Sequence, residues 1–506
     1  MPKAKKKRRR QRRIDGRLRP EIIFGLVAAI GTPIDLFTET LSEALSVRGY
    51  RSETVPLSYF ARGIRMETAP PPEGAAEYER LDSLIKLNNE LREKTGRGDI
   101  LARFAAASIG AKRSGPTAAI RDTAFILRQL KHPHEVQLLR EIYGERFYLI
   151  GLYCGRDERE NTLHVHGKMK LEQAQELIER DQYEPPKFGQ KFRDTFHRAD
   201  VFVPFSQSSD VQERQRKQVE RFLALVFDED LLTPTRDEYG MFMAFAASLR
   251  SAQRSRQVGA SILSDRGEVL SVGTNEVPKF GGGEYWEGDD PDQRDHKRGE
   301  DSSEKMRNSI LNEVFQVLRP EWNSLSESDR SKIVADTREK LESADARIMK
   351  LTEFGRAVHA EMAAIVGAAR VGMSVSGATL YTTTFPCHVC AKHIIDAGLK
   401  RVVYIEPYPK SLAGELHEDS LSIDEFAGAG KIACEPFLGI APRRYVDFYS
   451  MTTREGLLKI SGERSGSAQE GQLASEVAAA ELSYVQRERL AAKLLQSILP
   501  SGTGGG

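Results

Sequence analysis

The sequence predicts an α/β protein of two successive domains, each a sheet flanked by helices, and three observations carry that expectation. Strand-like apolar runs at 21–30, 124–133, 147–153 and 199–203 alternate with helix-like stretches such as 78–92 and 171–180, and such alternation builds a doubly wound parallel sheet. From Asp237 onward the chain reads helix, strand, turn, strand, with a second strand-to-helix pair at 377–397. A 40% hydrophobic share over 506 residues supplies two or three cores without disulfide staples.

Residues 1–19 are set apart by charge. Positions 1–13 hold nine of the 74 Lys and Arg and no acid, so the rest carries 65 cations against 73 acids, a net of −8. The run Lys5 to Arg10 reads either as a solvated flexible arm or as a contact for RNA, DNA or an acidic partner. From Glu21 an apolar strand enters a glycine turn and then the amphipathic helix Leu36 to Val47. Strand, glycine turn and helix N-terminus are how P-loop folds present N–H groups to phosphate, which makes Gly25, Gly31 and Thr32 the expected nucleotide-binding positions. Ile34 stands where the phosphate-binding lysine belongs and Asp35 where the magnesium-binding hydroxyl belongs. Residues 20–235 are therefore expected to be a degenerate P-loop-kinase-like domain without phosphoryl transfer. His164 and His166 alternate as on a strand or lid edge and are read as surface residues.

The second domain, expected over 236–460, holds the chemistry-bearing pattern His359-Ala360-Glu361 followed by Pro386-Cys387-His388-Val389-Cys390. A catalytic zinc takes three protein ligands and leaves a fourth position to water; His359, Cys387 and Cys390 supply the three. Glu361 is left over, two residues beyond the histidine at a helix start, able to face the open position and carry a proton. The run 377–385 reads as a buried strand and 391–397 as helix, so the cysteines sit at a strand-to-helix junction with Pro386 in the first turn, where the helix dipole favours thiolates. Cys-x-x-Cys alone fits a redox pair or half a structural zinc site equally well; the upstream His-Ala-Glu tips the reading to catalysis. The other two cysteines, Cys154 and Cys434, read as core thiols.

His-x-Glu with Pro-Cys-x-x-Cys is the known signature of zinc nucleobase deaminases. With Arg256-Gln257-Val258-Gly259-Ala260, Gly273-Thr274-Asn275-Glu276-Val277-Pro278 and Thr379-Leu380-Tyr381 around it, the stretch 238–407 resembles the deoxycytidylate deaminase family. That resemblance implies a cytidine-deaminase-like α/β/α sandwich, Asn275 on the deoxyribose, Ala360 beside the pyrimidine edge, and Arg254 and Arg256 for the phosphate. Lys410 is either a β- or γ-phosphate contact or an ordinary loop lysine, and a triphosphate substrate would bring Mg2+. The chain departs from small family members over 279–356, a long polar insertion without cysteine that reads as a lid or a disordered acidic loop; a second, structural zinc is not expected. Across nearly its whole length the order of a P-loop-kinase-like domain and a deaminase domain resembles bacterial antiphage dCTP deaminases. In that family dCTP and dCMP are destroyed to starve phage replication and the front domain restrains or triggers the activity.

Residues 461–506 read as a polar linker, a helix over 473–499 and a glycine-rich end. No apolar run approaches the roughly 18 residues of a membrane span, and the basic start lacks a signal-peptide core; with few cysteines, a reducing cytoplasm is expected. The leading expectation is zinc-dependent deamination of deoxycytidine nucleotides by a homo-oligomer. The alternatives are cytosine editing in RNA or single-stranded DNA, and a regulator in which the front half senses RNA or a nucleotide.

Overall fold

The computed structural model describes residues 19–64, 66–115, 118–182, 189–253, 256–299, 302–343, 346–351, 354–407, 411–423, 430–451 and 484–495. The basic run, most of the C-terminal segment, Arg254 and Lys410 lie outside the described residues. The chain forms two compact units, Met1–Pro234 with Leu438–Gly506, and Thr235–Phe437.

The first unit is built on β1 (Ile22–Ala28), β2 (Arg51–Pro56), β3 (Thr123–Arg128), β4 (Phe147–Tyr153) and β5 (Val201–Pro204), joined by the late strand β12 (Gly439–Ile440) in the order β12-β5-β4-β1-β3-β2. All pairings among β1 to β5 are parallel and only β12 runs antiparallel. Every residue of β1 is buried, as a central parallel strand covered on both faces requires. Phe24, Leu26, Ile126, Tyr148 and Ile150 pack in its core with helical Phe37, Leu41 and Phe222.

Two sequence expectations change here. The second domain does not run to 460: Gly439 and Ile440 pair with Phe202 and Val201, and Phe448 packs on Tyr148 and Phe222, so 438–451 belongs to the first unit. The short 439–440 run carries too little periodicity to betray a strand that pairs with residues some 240 positions earlier. His164 and His166 are exposed, but on a π-helical turn, Thr162–His166, where the His164 ring bonds the Met169 carbonyl at 2.8 Å. Of the segment expected to be a terminal helix, 484–495 is helical; a buried ion cluster anchors it, Arg113 bridging Glu21 at 2.6 Å and Glu488 at 2.7 Å.

The second unit carries β6 (Gly259–Leu263), β7 (Val269–Thr274), β8 (Thr379–Thr384), β9 (Arg401–Glu406), β10 (Leu421–Ile423) and β11 (Ile432–Pro436) in the order β10-β11-β9-β8-β6-β7. The β8, β9, β11 and β10 strands are parallel, while β6 runs against both β7 and β8. Two glycines let helices lie directly on this sheet. A Cβ at Gly259 would stand 2.0 Å from the Ala244 carbonyl of one helix, and a Cβ at Gly273 would stand 2.2 Å from the Ala360 carbonyl of another. Gly259 faces Thr274 while Gly273 faces Ala260, so the two glycines point to opposite sides of the sheet. The result is helix, sheet, helix.

The insertion is helical. Ser302–Leu318 and Glu327–Ser343 pack on each other around Leu311, Trp322 and Val334, with Phe315 stacked on Trp322 at 4.8 Å. Among the described residues no helix is long and apolar enough to cross a membrane.

Candidate metal and proton-transfer site

Two helix starts meet at the carboxyl end of β8. The helix Ala360–Arg370, α1 of the site, begins at His359 as its N-cap; the helix His388–Asp396, α2, begins at Cys387 as its N-cap. Pro386 thus stands one residue before the cap and not in the first turn, because the Cys387 sulfur itself caps the helix, accepting the Cys390 amide at 3.4 Å. The Pro386 carbonyl accepts from the Ser411 hydroxyl at 2.8 Å, which fixes the junction.

The His359 Nδ1 lies 3.3 Å from Cys387 Sγ and 3.4 Å from Cys390 Sγ, and the three donor atoms lie within 4.8 Å of one another. A tetrahedral zinc with ordinary bond lengths separates its ligands by about 3.5 Å. The donor set fits such an ion in distance and in chemistry. The hydrogen bond from Cys390 holds the Cys387 thiol below the usual thiol range, and the same bond drives Cys390 above it. The hydrogen bond to Cys387 also raises His359. A divalent ion removes that conflict by letting both sulfurs ionise.

Glu361, 4% exposed in the first turn of α1, has its Oε2 3.5 Å from Cys390 Sγ. Burial pushes its carboxyl up to about 7, the range in which a carboxyl exchanges protons at neutral pH.

The substrate expectations fare differently. Ala360 is fully buried, its carbonyl against β7. Asn275 is a clamp: its Oδ1 accepts from Val258 N and its Nδ2 donates to the Arg256 carbonyl, both at 2.8 Å, so it shapes the strand entry at 256–258. Arg256 pairs with Glu406 at 2.8 Å. Gly25 is a packing glycine inside β1, where a Cβ would meet Leu130 at 2.6 Å; Gly31, at φ +86°, and buried Thr32 form the turn after β1.

Sequence reasoning missed the residues that hold the site rigid. Glu276 is fully buried; its carboxylate accepts from Ala252 N and Val277 N at 2.9 Å, and its carbonyl accepts from Val358 N at 3.0 Å, immediately before His359. Asp237 takes both terminal nitrogens of Arg401, at 2.8 and 2.9 Å, and the Tyr381 hydroxyl at 2.7 Å, binding β8 and β9 to the preceding helix. Their distance in sequence from the motif concealed them. In the insertion, Glu287, Asp292 and His296 converge, but Arg294 places its guanidinium on both acids at 2.6 and 2.7 Å.

The family model described as the cytidine and deoxycytidylate deaminase zinc-binding region matches residues 234–406. The deoxycytidylate deaminase of Enterobacteria phage T2 is 32% identical over 176 residues, covering 34% of this chain and 80% of that protein. That of phage T4 is 31% identical, covering 34% and 78%; that of Homo sapiens is 25% identical, covering 33% and 63%. The chain belongs to the cytidine and deoxycytidylate deaminases, a family of hydrolytic deaminases.

Proposed function

We propose that the second unit hydrolyses the C4 amino group of deoxycytidine nucleotides, dCMP and dCTP, giving deoxyuridine nucleotides and ammonia. The observation that carries this reading is the convergence of His359, Cys387 and Cys390, whose donor atoms lie within 4.8 Å of one another, with the buried Glu361 carboxylate 3.5 Å from Cys390 Sγ. A zinc ion held by those three residues would supply Lewis acidity at its open position, bringing a water's pKa from about 16 toward about 7.

The chain's own groups do the rest. Glu361 takes a proton from the attacking water and delivers it to N3 as the water oxygen bonds to C4. It then takes the second proton of that oxygen and hands it to the amino nitrogen; the C4–N4 bond breaks, ammonia leaves and C4=O forms. Burial keeps the carboxyl near the pKa at which it both accepts and returns a proton. Asn275 orders the chain beside the site, and Arg256, released from Glu406, suits a phosphate by its paired donors.

The first unit is proposed to be P-loop-kinase-like, a reading supported by the Gly31 turn between β1 and the helix that follows it. Its place ahead of a deaminase unit in the chain order supports a role for the enzyme in draining deoxycytidine nucleotides as antiphage defence, with the first unit in control. Incubating the purified protein with equimolar dCMP, dCTP, CMP and cytidine and separating the products tests the activity. The deoxynucleotides should convert to dUMP and dUTP while CMP and cytidine persist; zinc-loaded protein that converts none of the four overturns the reading.

A further inference from the structure

At the amino ends of β4 and β5, the end of the first sheet opposite the turn after β1, lies a depression of about 520 Å³, within the range of small-ligand sites. Three arginines from three separate segments meet in it. Arg140 stands in the last turn of the helix Pro133–Tyr143, Arg198 just before β5, and Arg443 in the turn Pro442–Arg444 that follows β12. Among the described residues no apolar side chain lines it.

The three are fastened at their base. Arg140 and Arg443 both donate to the Arg198 carbonyl, from terminal nitrogens at 2.7 and 3.2 Å. Arg140 also donates to Asp200 at 2.9 Å, and Arg443 Nε stands 3.6 Å from the same carboxylate oxygen. Asp200 is buried, and its other oxygen accepts from Leu149 N at 2.7 Å. One carboxylate thus serves two guanidinium groups and a backbone amide. Arg198 has no part in it: among the described residues it donates only from Nε, to the Asp194 carbonyl at 3.1 Å, which leaves both its terminal nitrogens for a ligand.

Cation charge outweighs acid in this lining. The three arginines face only Glu141 there, an exposed carboxylate bonded to Gln137 at 2.9 Å. Burial, with Arg443 and Arg444 close by, brings Arg140 down to about 10 in spite of Asp200. Burial and Arg443 likewise hold Arg198 below its ordinary value in spite of Asp194. Arg401, which has Asp237 and Glu435 to itself, is shifted the opposite way. An anion in the depression relieves the crowding of like charges and meets the unengaged N–H groups. Guanidinium groups match phosphate oxygens by their paired donors, and three of them from three directions suit a tetrahedral anion better than a planar carboxylate.

We propose that Arg140, Arg198 and Arg443 form a phosphate site, filled by free phosphate or by the phosphate monoester of a small metabolite. The bound anion joins Arg443, on the segment that adds β12 to the sheet, to two arginines of the sheet's own connections, and so fastens the closing strand.

Equilibrium dialysis of the full-length protein against labelled inorganic phosphate in about 0.15 M potassium chloride tests it, since exposed charge alone is largely screened there. Phosphate should bind saturably with a Kd below about 1 mM. Competition with ribose 5-phosphate separates the two sources: displacement at concentrations below those of unlabelled phosphate assigns the site to a monoester, and weaker displacement assigns it to free phosphate. Arg198→Ala should weaken binding at least about tenfold, and Gln137→Glu, which sets a negative charge on the exposed rim, at least about threefold. Both variants leave the Arg140–Asp200 pair in place, so the fold is kept. Phosphate should raise the Tm of the parent and not that of Arg198→Ala. The proposal is overturned if no phosphate binds below about 1 mM, or if Arg198→Ala and Gln137→Glu bind like the parent. It is also overturned if a single-stranded RNA of arbitrary sequence binds through Arg198 more than about a hundredfold tighter than phosphate, which would make the surface a nucleic-acid contact.

Discussion

Gly273→Ala should cripple a site it does not touch. The added Cβ would stand 2.2 Å from the Ala360 carbonyl oxygen and 2.4 Å from the Ala364 amide, both backbone atoms of α1 and unable to swing aside. Ordinary contact begins at 3.4 Å, so α1 must move off β7 by about 1 Å, a displacement that costs about a hundredfold in rate when it reaches catalytic groups. It does reach them, because His359 caps this helix and Glu361 lies in its first turn. Overpacking of this kind also destabilises by about 1–3 kcal/mol. The assay is kcat/KM for dCMP beside zinc content and thermal melting, with Gly63→Ala as control, since a Cβ there meets nothing within 4 Å. A Gly273→Ala protein with parental Tm and kcat/KM would refute the claim that this close approach sets the site.

Asp237→Asn should lower stability by about 1–3 kcal/mol by breaking the paired bonds to Arg401. Burial pushes the Asp237 carboxyl up, but the hydrogen bonds and charge of Arg401 outweigh it and hold the group below the usual carboxylate range. A depressed acid contributes stability above its unfolded pKa of about 3.9 and loses it as pH falls through the lower folded value. The gap in Tm between parent and variant should therefore be full at neutral pH and close below about pH 4; a gap independent of pH would exclude this origin. Arg113→Ala leaves Glu21 and Glu488 buried and uncompensated, which should cost about 3–5 kcal/mol in urea unfolding and expose helix 484–495 to protease. Parental resistance would show that the ion cluster does not anchor that helix. Cys387→Ala should lose zinc by elemental analysis, and retention of a full equivalent would remove it from the donor set.

What the sequence makes legible here is what local spacing encodes. His359 and Glu361 lie two positions apart and Cys387 and Cys390 three, so a helix start at each places them regardless of the rest of the fold, and the β-branched run of β8 announces the strand between them. Illegible were the features made by contacts between distant segments. Gly259 and Gly273 matter only because helices from elsewhere lie on them, and Gly25 faces Leu130 and Phe147 where a phosphate loop was expected. The hold of the Asn275 amide on the backbone of 256–258 is visible only once β6 and β7 are paired. The return of 439–440 to the first sheet could not be read from two residues.

The most direct test measures zinc stoichiometry and dCMP turnover together in Glu361→Gln and His359→Ala. The account predicts that Glu361→Gln keeps its zinc while turnover falls by at least about 10²-fold, and that His359→Ala loses both metal and activity. Parental turnover in Glu361→Gln, or a full zinc equivalent in His359→Ala, would contradict it.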